Sequence, residues 1–233
     1  MLPNYRKILL SKLSILLFFI ANAQEPALRS SINLNILGWS YEKHQQNGGA
    51  VLAFEWKPLH FVGLELGGGY GWFRDYNLIQ YSVSPGVFHD VSLDEMNGDY
   101  WLFQGKLSGY LPLWRDDNNV IKIQLFVDVY GGMSSSVQMK GELKIYESEL
   151  TKTASGNGEA HFFHGFEFGI WGALSEKASM KLFVGTRNIN FKDPIEKMNT
   201  HLDGFPLSFG SYVPAAYIGT SLCFTIPKKK MNN

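Results

Sequence analysis

Residues 121–130 read IKIQLFVDVY, an unbroken alternation that decides the fold class. Successive side chains of a β-strand point to opposite faces, so a period of two predicts a strand with one apolar face. The apolar set is Ile121, Ile123, Leu125, Val127 and Val129, and the opposite set is Lys122, Gln124, Phe126, Asp128 and Tyr130. This stretch therefore predicts a strand whose two faces meet different surroundings.

The same period recurs about eight times along the chain, with turn residues between the repeats. The predicted strands cover about 30–41, 49–57, 61–73, 99–111, 120–133, 159–173, 180–190 and 212–226. The joins at 57–60, 112–119 and 174–179 are short, the join at 42–48 is intermediate, and those at 74–98, 134–158 and 191–211 are long loops. Outer-membrane barrels combine short periplasmic turns with longer outer loops. We therefore expect an all-β fold, an eight-stranded antiparallel up-and-down transmembrane β-barrel.

The composition of the two strand faces favours contact with lipid. One face of nearly every predicted strand is aliphatic and aromatic, whereas the other mixes glycines, amides and charges. A soluble sandwich or lipocalin-like barrel also alternates, but it turns the apolar face inward. The chain has 17 Phe, 11 Tyr and 6 Trp beside 24 Gly, and barrel walls use aromatics at the membrane interfaces. The 21 basic and 21 acidic side chains balance, which argues against a nucleic-acid partner.

The two ends of the chain predict export and a short tail. Residues 1–23 have a basic start, a short apolar core and the sequence Ala21-Asn22-Ala23, which together predict a cleaved signal peptide. The apolar core is too short for a spanning helix. The mature barrel domain is expected to cover 24–226, followed by a basic periplasmic tail at 227–233.

Residues 217–224 carry the most specific motif in the chain. Tyr217, Gly219, Leu222 and Phe224 match, in register, the β-signal of the final strand of outer-membrane barrels. On this motif the chain resembles the small eight-stranded outer-membrane β-barrels of Gram-negative bacteria, the OmpA/OmpW-like porin superfamily. The resemblance implies contact with outer-membrane lipids and with the barrel-assembly machinery, which would read the motif. It departs from the family pattern because residues 225–233 follow Phe224.

If the apolar faces meet lipid, the charged side chains of the strands point into the lumen. The predicted lumen charge network is Glu55, Glu65, Lys106, Lys122, Asp128, Glu167, Lys181 and Arg187. Acids and bases are equal in number, which indicates mutual neutralisation in a packed, largely closed interior. Residues equally distant from a turn near Lys177 should face each other, so Glu167 and Arg187 are predicted to form an ion pair. A narrow pore or hydrophobic-solute channel is the alternative.

Few residues suggest chemistry. His161 and His164 are three apart on a strand, so their rings should diverge rather than bind a metal. The glycines at 67–69 and 71 lie in a strand instead of before a helix, which argues against a phosphate-binding loop and leaves wall flexibility. A lipid-modifying hydrolase would need His161 with Ser134 or Ser136, and no orienting acid is evident. We therefore expect no enzyme, cofactor or metal, and an envelope protein partner bound through loops 74–98, 134–158 and 191–211.

Overall fold

The computed structural model describes residues 29–39, 45–84, 87–145, 150–199 and 215–227. The predicted signal peptide and nearly all of the basic tail lie outside these residues. The described strands are β1 (Arg29–Trp39), β2 (Gln45–Leu59), β3 (Val62–Ser84), β4 (Val87–Arg115), β5 (Ile121–Ser134), β6 (Gln138–Ile145), β7 (Leu150–Asn157), β8 (His161–Ala173), β9 (Ala178–Arg187) and β10 (Ala215–Ile226). One helix, α1 (Lys192–Asn199), is described between β9 and β10.

Eight of these strands close into an antiparallel barrel, which confirms the predicted fold. The barrel order is β1, β2, β3, β4, β5, β8, β9, β10, with each strand paired to the next. Closure comes from β1 and β10, whose pairing runs from Ser30 opposite Ile226 to Gly38 opposite Ile218. The first and last strands of the chain thus satisfy each other's backbone hydrogen bonds, as a barrel in a bilayer requires. No helix within the described residues is long and apolar enough to cross a membrane.

The wall of the barrel is inverted relative to a water-soluble protein. Large apolar side chains face outward, and Trp101, Phe162 and Ile218 are 67%, 67% and 71% exposed. Other outward-facing members are Leu52, Leu66, Phe103, Val129, Phe168 and Leu182. Among the described side chains of the strands, seven charged ones are instead buried. Exposing so much apolar surface to water is costly, whereas an apolar band with a polar interior is the arrangement of a transmembrane barrel.

The predicted loops 74–98 and 134–158 contain strands. β3 continues to Ser84 and β4 begins at Val87, so most of 74–98 is an extended hairpin. β6 pairs with β7 from Gln138 opposite Asn157 to Ile145 opposite Leu150, and with β4 from Asp99 opposite Gln138 to Val91 opposite Ile145. Among the described side chains of β6 and β7, no row of large exposed apolar residues marks the alternation. Loop 191–211 begins with α1, and residues 200–211 lie outside the described ranges.

Candidate functional site in the barrel lumen

Strand register brings like charges together inside the barrel. Glu55 on β2 lies directly opposite Glu65 on β3, and Asp128 on β5 lies directly opposite Glu167 on β8. All four side chains are buried. Like charges in directly opposed positions are destabilising, so these two acidic pairs require cations from other parts of the wall.

Lys106 bridges the two acidic pairs. Its Nζ lies 2.7 Å from Glu167 Oε2 and 3.8 Å from Glu65 Oε1. The lysine side chain is only 2% exposed. β4 places it directly opposite Glu65, whereas Glu167 stands on β8, two strands further round the barrel. A single buried cation therefore links one carboxylate of each pair.

Glu55 has cationic partners of its own. Lys181 Nζ lies 3.5 Å and Lys57 Nζ lies 3.8 Å from Glu55 Oε1. The Tyr110 hydroxyl donates to the same oxygen. Asn33 Nδ2 donates to Glu55 Oε2 at 3.1 Å and to Glu65 Oε2 at 2.7 Å. An amide thus separates two facing carboxylates by giving both of them a hydrogen bond.

The lumen charge network differs from the predicted one at two lysines. Lys122 does not join it: the side chain is 37% exposed and its Nζ lies 3.1 Å from Asp116 Oδ2 in the β4–β5 turn. The Val120 N–H, which donates to Asp116, and Lys122 together lower the pKa of Asp116. Lys57 joins the network instead. The sequence predicts a turn that begins at Lys57, but β2 continues through Leu59. The side chains of residues 51, 53 and 55 point into the lumen, and the alternation of the strand gives residue 57 the same direction.

The predicted ion pair between Glu167 and Arg187 is wrong. β8 and β9 pair with Trp171 opposite Lys181, so the hairpin is centred on Glu176 rather than Lys177. This shift places Gly185 opposite Glu167 and Gly165 opposite Arg187. Arg187 is buried in the lumen, but within the described residues it forms no ion pair, and neither does Asp128.

Glycines on the inner wall make room for aromatic rings. A Cβ on Gly71 would overlap the ring of Tyr100, the residue directly opposite. A Cβ on Gly165 would overlap the Tyr130 hydroxyl and the Thr186 carbonyl oxygen. The glycines of 67–71 were interpreted as wall flexibility. Here Gly71 and Gly165 instead provide the space that lets rings cross a narrow lumen.

An apolar cap cluster lies at the end of the lumen that carries the long connections. Its members are Phe73, Met96, Tyr100, Val137, Met139, Phe191, Ile195 and Met198. The Phe191 ring lies 4.8 Å from that of Phe73 and 6.0 Å from that of Tyr100, between centroids. All members are nearly or fully buried, and the cluster is continuous with the aromatic core of the barrel. Chain segments that were predicted to be loops therefore cover this mouth.

The helix of the cap is tied to the sheet by Asp193. The Glu159 N–H donates to Asp193 Oδ2 at 2.9 Å, and Lys197 Nζ lies 3.2 Å from the same oxygen. This hydrogen bond, with Lys197, lowers the pKa of Asp193. A Cβ on Gly156 of β7 would overlap the Pro194 carbonyl oxygen, so strand and helix are in direct contact.

Ser134 and His161 are hydrogen-bonded, but not in the arrangement of a nucleophile and its general base. Ser134 Oγ lies 2.9 Å from His161 Nδ1, while the Asn190 N–H donates to His161 Nε2 at 3.0 Å. Because Nε2 accepts, a neutral imidazole carries its proton on Nδ1 and donates it toward the serine. His161 therefore cannot accept a proton from Ser134 in this arrangement. His164 binds a different partner, with Nδ1 3.2 Å from Asn188 Nδ2.

The four residues of the predicted assembly motif divide between the faces of β10. Tyr217 and Gly219 point into the lumen, where the Tyr217 hydroxyl donates to Glu167. Leu222 and Phe224 are exposed on the outer wall. Gly219 also lets the ring of Phe183 pack, because a Cβ there would overlap it. Tyr217 and Gly219 of the motif thus also take part in packing inside the barrel.

Comparison with solved structures retrieves other outer-membrane proteins at low similarity. The attachment invasion locus protein Ail of Yersinia pestis, solved with the heparin analogue sucrose octasulfate, has a TM-score of 0.39 and 10% identity, covering 85% of this chain and 98% of that chain. The outer membrane protease OmpT from Escherichia coli has a TM-score of 0.24 and 10% identity, covering 86% of this chain and 95% of that chain. Neither a protein-family model nor a curated protein matches this sequence.

The chain itself has the structural features of an outer-membrane barrel. Eight antiparallel strands close on one another, the outer wall is apolar, and charges are buried inside. These are the features by which outer-membrane barrels are defined structurally. The protein is a small β-barrel of the outer-membrane type.

Proposed function

We propose that this protein is an integral outer-membrane barrel with a closed lumen, acting structurally or through its outer end rather than as an enzyme. The observation that supports the closed lumen is the cap cluster over a charge network that fills the barrel. An eight-stranded barrel is only wide enough for its own side chains or one small ligand. The proton position on His161 argues against the serine hydrolase alternative.

The asymmetry of the two ends supports the orientation. The short β2–β3, β4–β5 and β8–β9 turns share one end with the start of β1 and the end of β10. This end would face the periplasm, as short turns do in such barrels. The other end carries the β3–β4 extension, the β6–β7 hairpin and α1. We place the envelope partner there, on segments 74–98, 134–158 and 191–211. Export by the signal peptide and kinship with OmpA/OmpW-like barrels remain predictions.

The first prediction concerns conduction. The purified barrel, inserted into planar lipid bilayers, is expected to show no stable ohmic channel, because the cap and the ion network block the axis. The control is Phe191→Ala, which removes the ring between Phe73 and Tyr100 and should raise the frequency of brief openings. A steady conductance in the wild-type protein would support the narrow pore instead.

The second prediction concerns assembly in cells. Phe224→Ala is expected to lower the membrane-inserted fraction severalfold and to leave more precursor or degradation product, because the motif loses its aromatic end. Phe168→Ala on β8 is the matched control, since Phe168 and Phe224 are 53% and 52% exposed on the outer wall. Both variants lose a phenylalanine ring of nearly equal exposure on the outer wall. Equal insertion of the two variants would show that residue 224 carries no assembly signal.

A further inference from the structure

Arg187 is a buried cation with an unused donor. It is 3% exposed, its Nη2 donates to Gln104 Oε1 at 3.0 Å, and its Nε donates to the Tyr130 hydroxyl at 3.4 Å. Nη1 has no hydrogen-bond partner within the described residues. A buried charge without an opposite charge is strongly unfavourable, and no carboxylate among the described residues forms an ion pair with Arg187.

Gln104, the hydrogen-bond partner of Arg187, carries a second unused donor. Because the guanidinium can only donate, it must face the amide oxygen of Gln104, which fixes the amide orientation. Gln104 Nε2 is therefore left as a donor, and it has no acceptor among the described residues, although the side chain is 1% exposed. The two groups that carry free N–H donors are thus joined by one hydrogen bond.

Two tyrosine hydroxyls lie between Arg187 and the carboxylate of Glu167. The Tyr217 hydroxyl donates to Glu167, and it lies 3.1 Å from the Tyr130 hydroxyl, which is the group that contacts Arg187. The rings of Tyr130, Phe163 and Tyr217 lie 5.4, 5.3 and 5.6 Å from the guanidinium carbon. These rings partly offset the charge but accept no hydrogen bond from Nη1.

We propose that Arg187 and Gln104 form an internal site for a small monovalent inorganic anion, with chloride as the physiological ligand. Such an ion only accepts hydrogen bonds, as both free groups require, and it neutralises the guanidinium. A water molecule would satisfy the donors but leave the charge. A phosphate or sulfate would bring more charge and more acceptors than two free donors can match. The site lies beneath the cap cluster, so the anion would enter during folding or when the cap opens.

The direct test is diffraction from wild-type crystals grown from protein refolded in sodium bromide. The expected result is an anomalous bromide peak within about 3.5 Å of Arg187 Nη1 and Gln104 Nε2. Ordered density without anomalous signal at this position would mean that water alone fills the site and would overturn the proposal. This measurement needs no variant, so it does not depend on how a substitution folds.

A second test, in solution, includes a variant that supplies its own negative charge beside Arg187. Unfolding in urea is compared in sodium chloride and in sodium gluconate of equal ionic strength. The folded-to-unfolded ratio of the wild type should rise with chloride, about tenfold when chloride reaches ten times its Kd. Gln104→Glu supplies a carboxylate to Arg187 and should abolish this dependence. Gln124→Glu alters another buried glutamine of the lumen and should retain it. Equal chloride responses of the two variants would contradict the site.

Discussion

Lys106→Met is expected to lower the free energy of unfolding by about 3–5 kcal/mol, the cost of leaving buried carboxylates without their cation. Lys106 is the buried link between Glu65 and Glu167, and both acids already face another carboxylate across the sheet. Methionine keeps most of the side-chain volume, so the loss would report charge rather than a cavity. The measurement is urea unfolding of the barrel refolded in lipid vesicles.

Lys122→Met provides the matched control for this substitution. Lys122 is also paired with an acid, but its partner Asp116 lies in a turn and the lysine is 37% exposed. Exposed ion pairs contribute about 0–1 kcal/mol, so a small change is expected. Similar losses in the two variants would contradict a buried network centred on Lys106.

A double-mutant cycle separates this contact from the arginine that was first predicted as the partner of Glu167. Lys106→Met combined with Glu167→Gln should deviate from additivity by about 0.5–3 kcal/mol, as contacting residues do. Glu167→Gln combined with Arg187→Met should deviate less, because two tyrosine hydroxyls intervene. A larger deviation for Glu167 with Arg187 than for Lys106 with Glu167 would support the pairing of β8 and β9 that the sequence predicted.

Gly165→Ala is expected to destabilise the barrel by about 1–3 kcal/mol, the usual cost of overpacking a filled interior. The new Cβ would overlap the Thr186 carbonyl oxygen and the Tyr130 hydroxyl. To relieve both overlaps, the β8–β9 pairing must widen and the Tyr130 ring must move away from Gly165. The change can be followed by urea unfolding and by the temperature at which the folded band disappears from an unboiled gel.

Gly172→Ala on the same strand is the control for this second substitution. A Cβ at Gly172 meets no atom within 4 Å, so the variant should be neutral or slightly more stable, because alanine restricts the unfolded chain. Two glycines of one strand would then differ only in what lies beside them. Equal stability of the two variants would show that the inner wall has more room than the ring packing indicates.

The alternation of apolar and polar residues was enough to predict the barrel. In 121–130 it sets which side chains face lipid and which face the lumen, because a strand has only two faces. Closure into eight strands followed from the repeats and from the need to satisfy every backbone group in a bilayer. Glu55, Lys106 and Lys181 could be placed inside for the same reason. Lys122 alternates like an inward-facing residue, but it lies at the rim of the barrel beside the β4–β5 turn. The alternation does not indicate how far along the lumen a side chain lies.

Partners across the lumen depended on the closed structure. A period of two is unchanged when a hairpin shifts by an even number of residues, so it could not distinguish Gly185 from Arg187 as the residue opposite Glu167. Lys106 meets Glu167 only because the wall curves round and brings β4 near β8. Among the described side chains of β6, β7 and α1 no lipid-facing row marks the elements, and Met139, Ile195 and Met198 lie in the cap cluster instead. One-dimensional pattern therefore reports the face of each side chain, whereas depth, register and contact across the barrel are set by how the sheet closes.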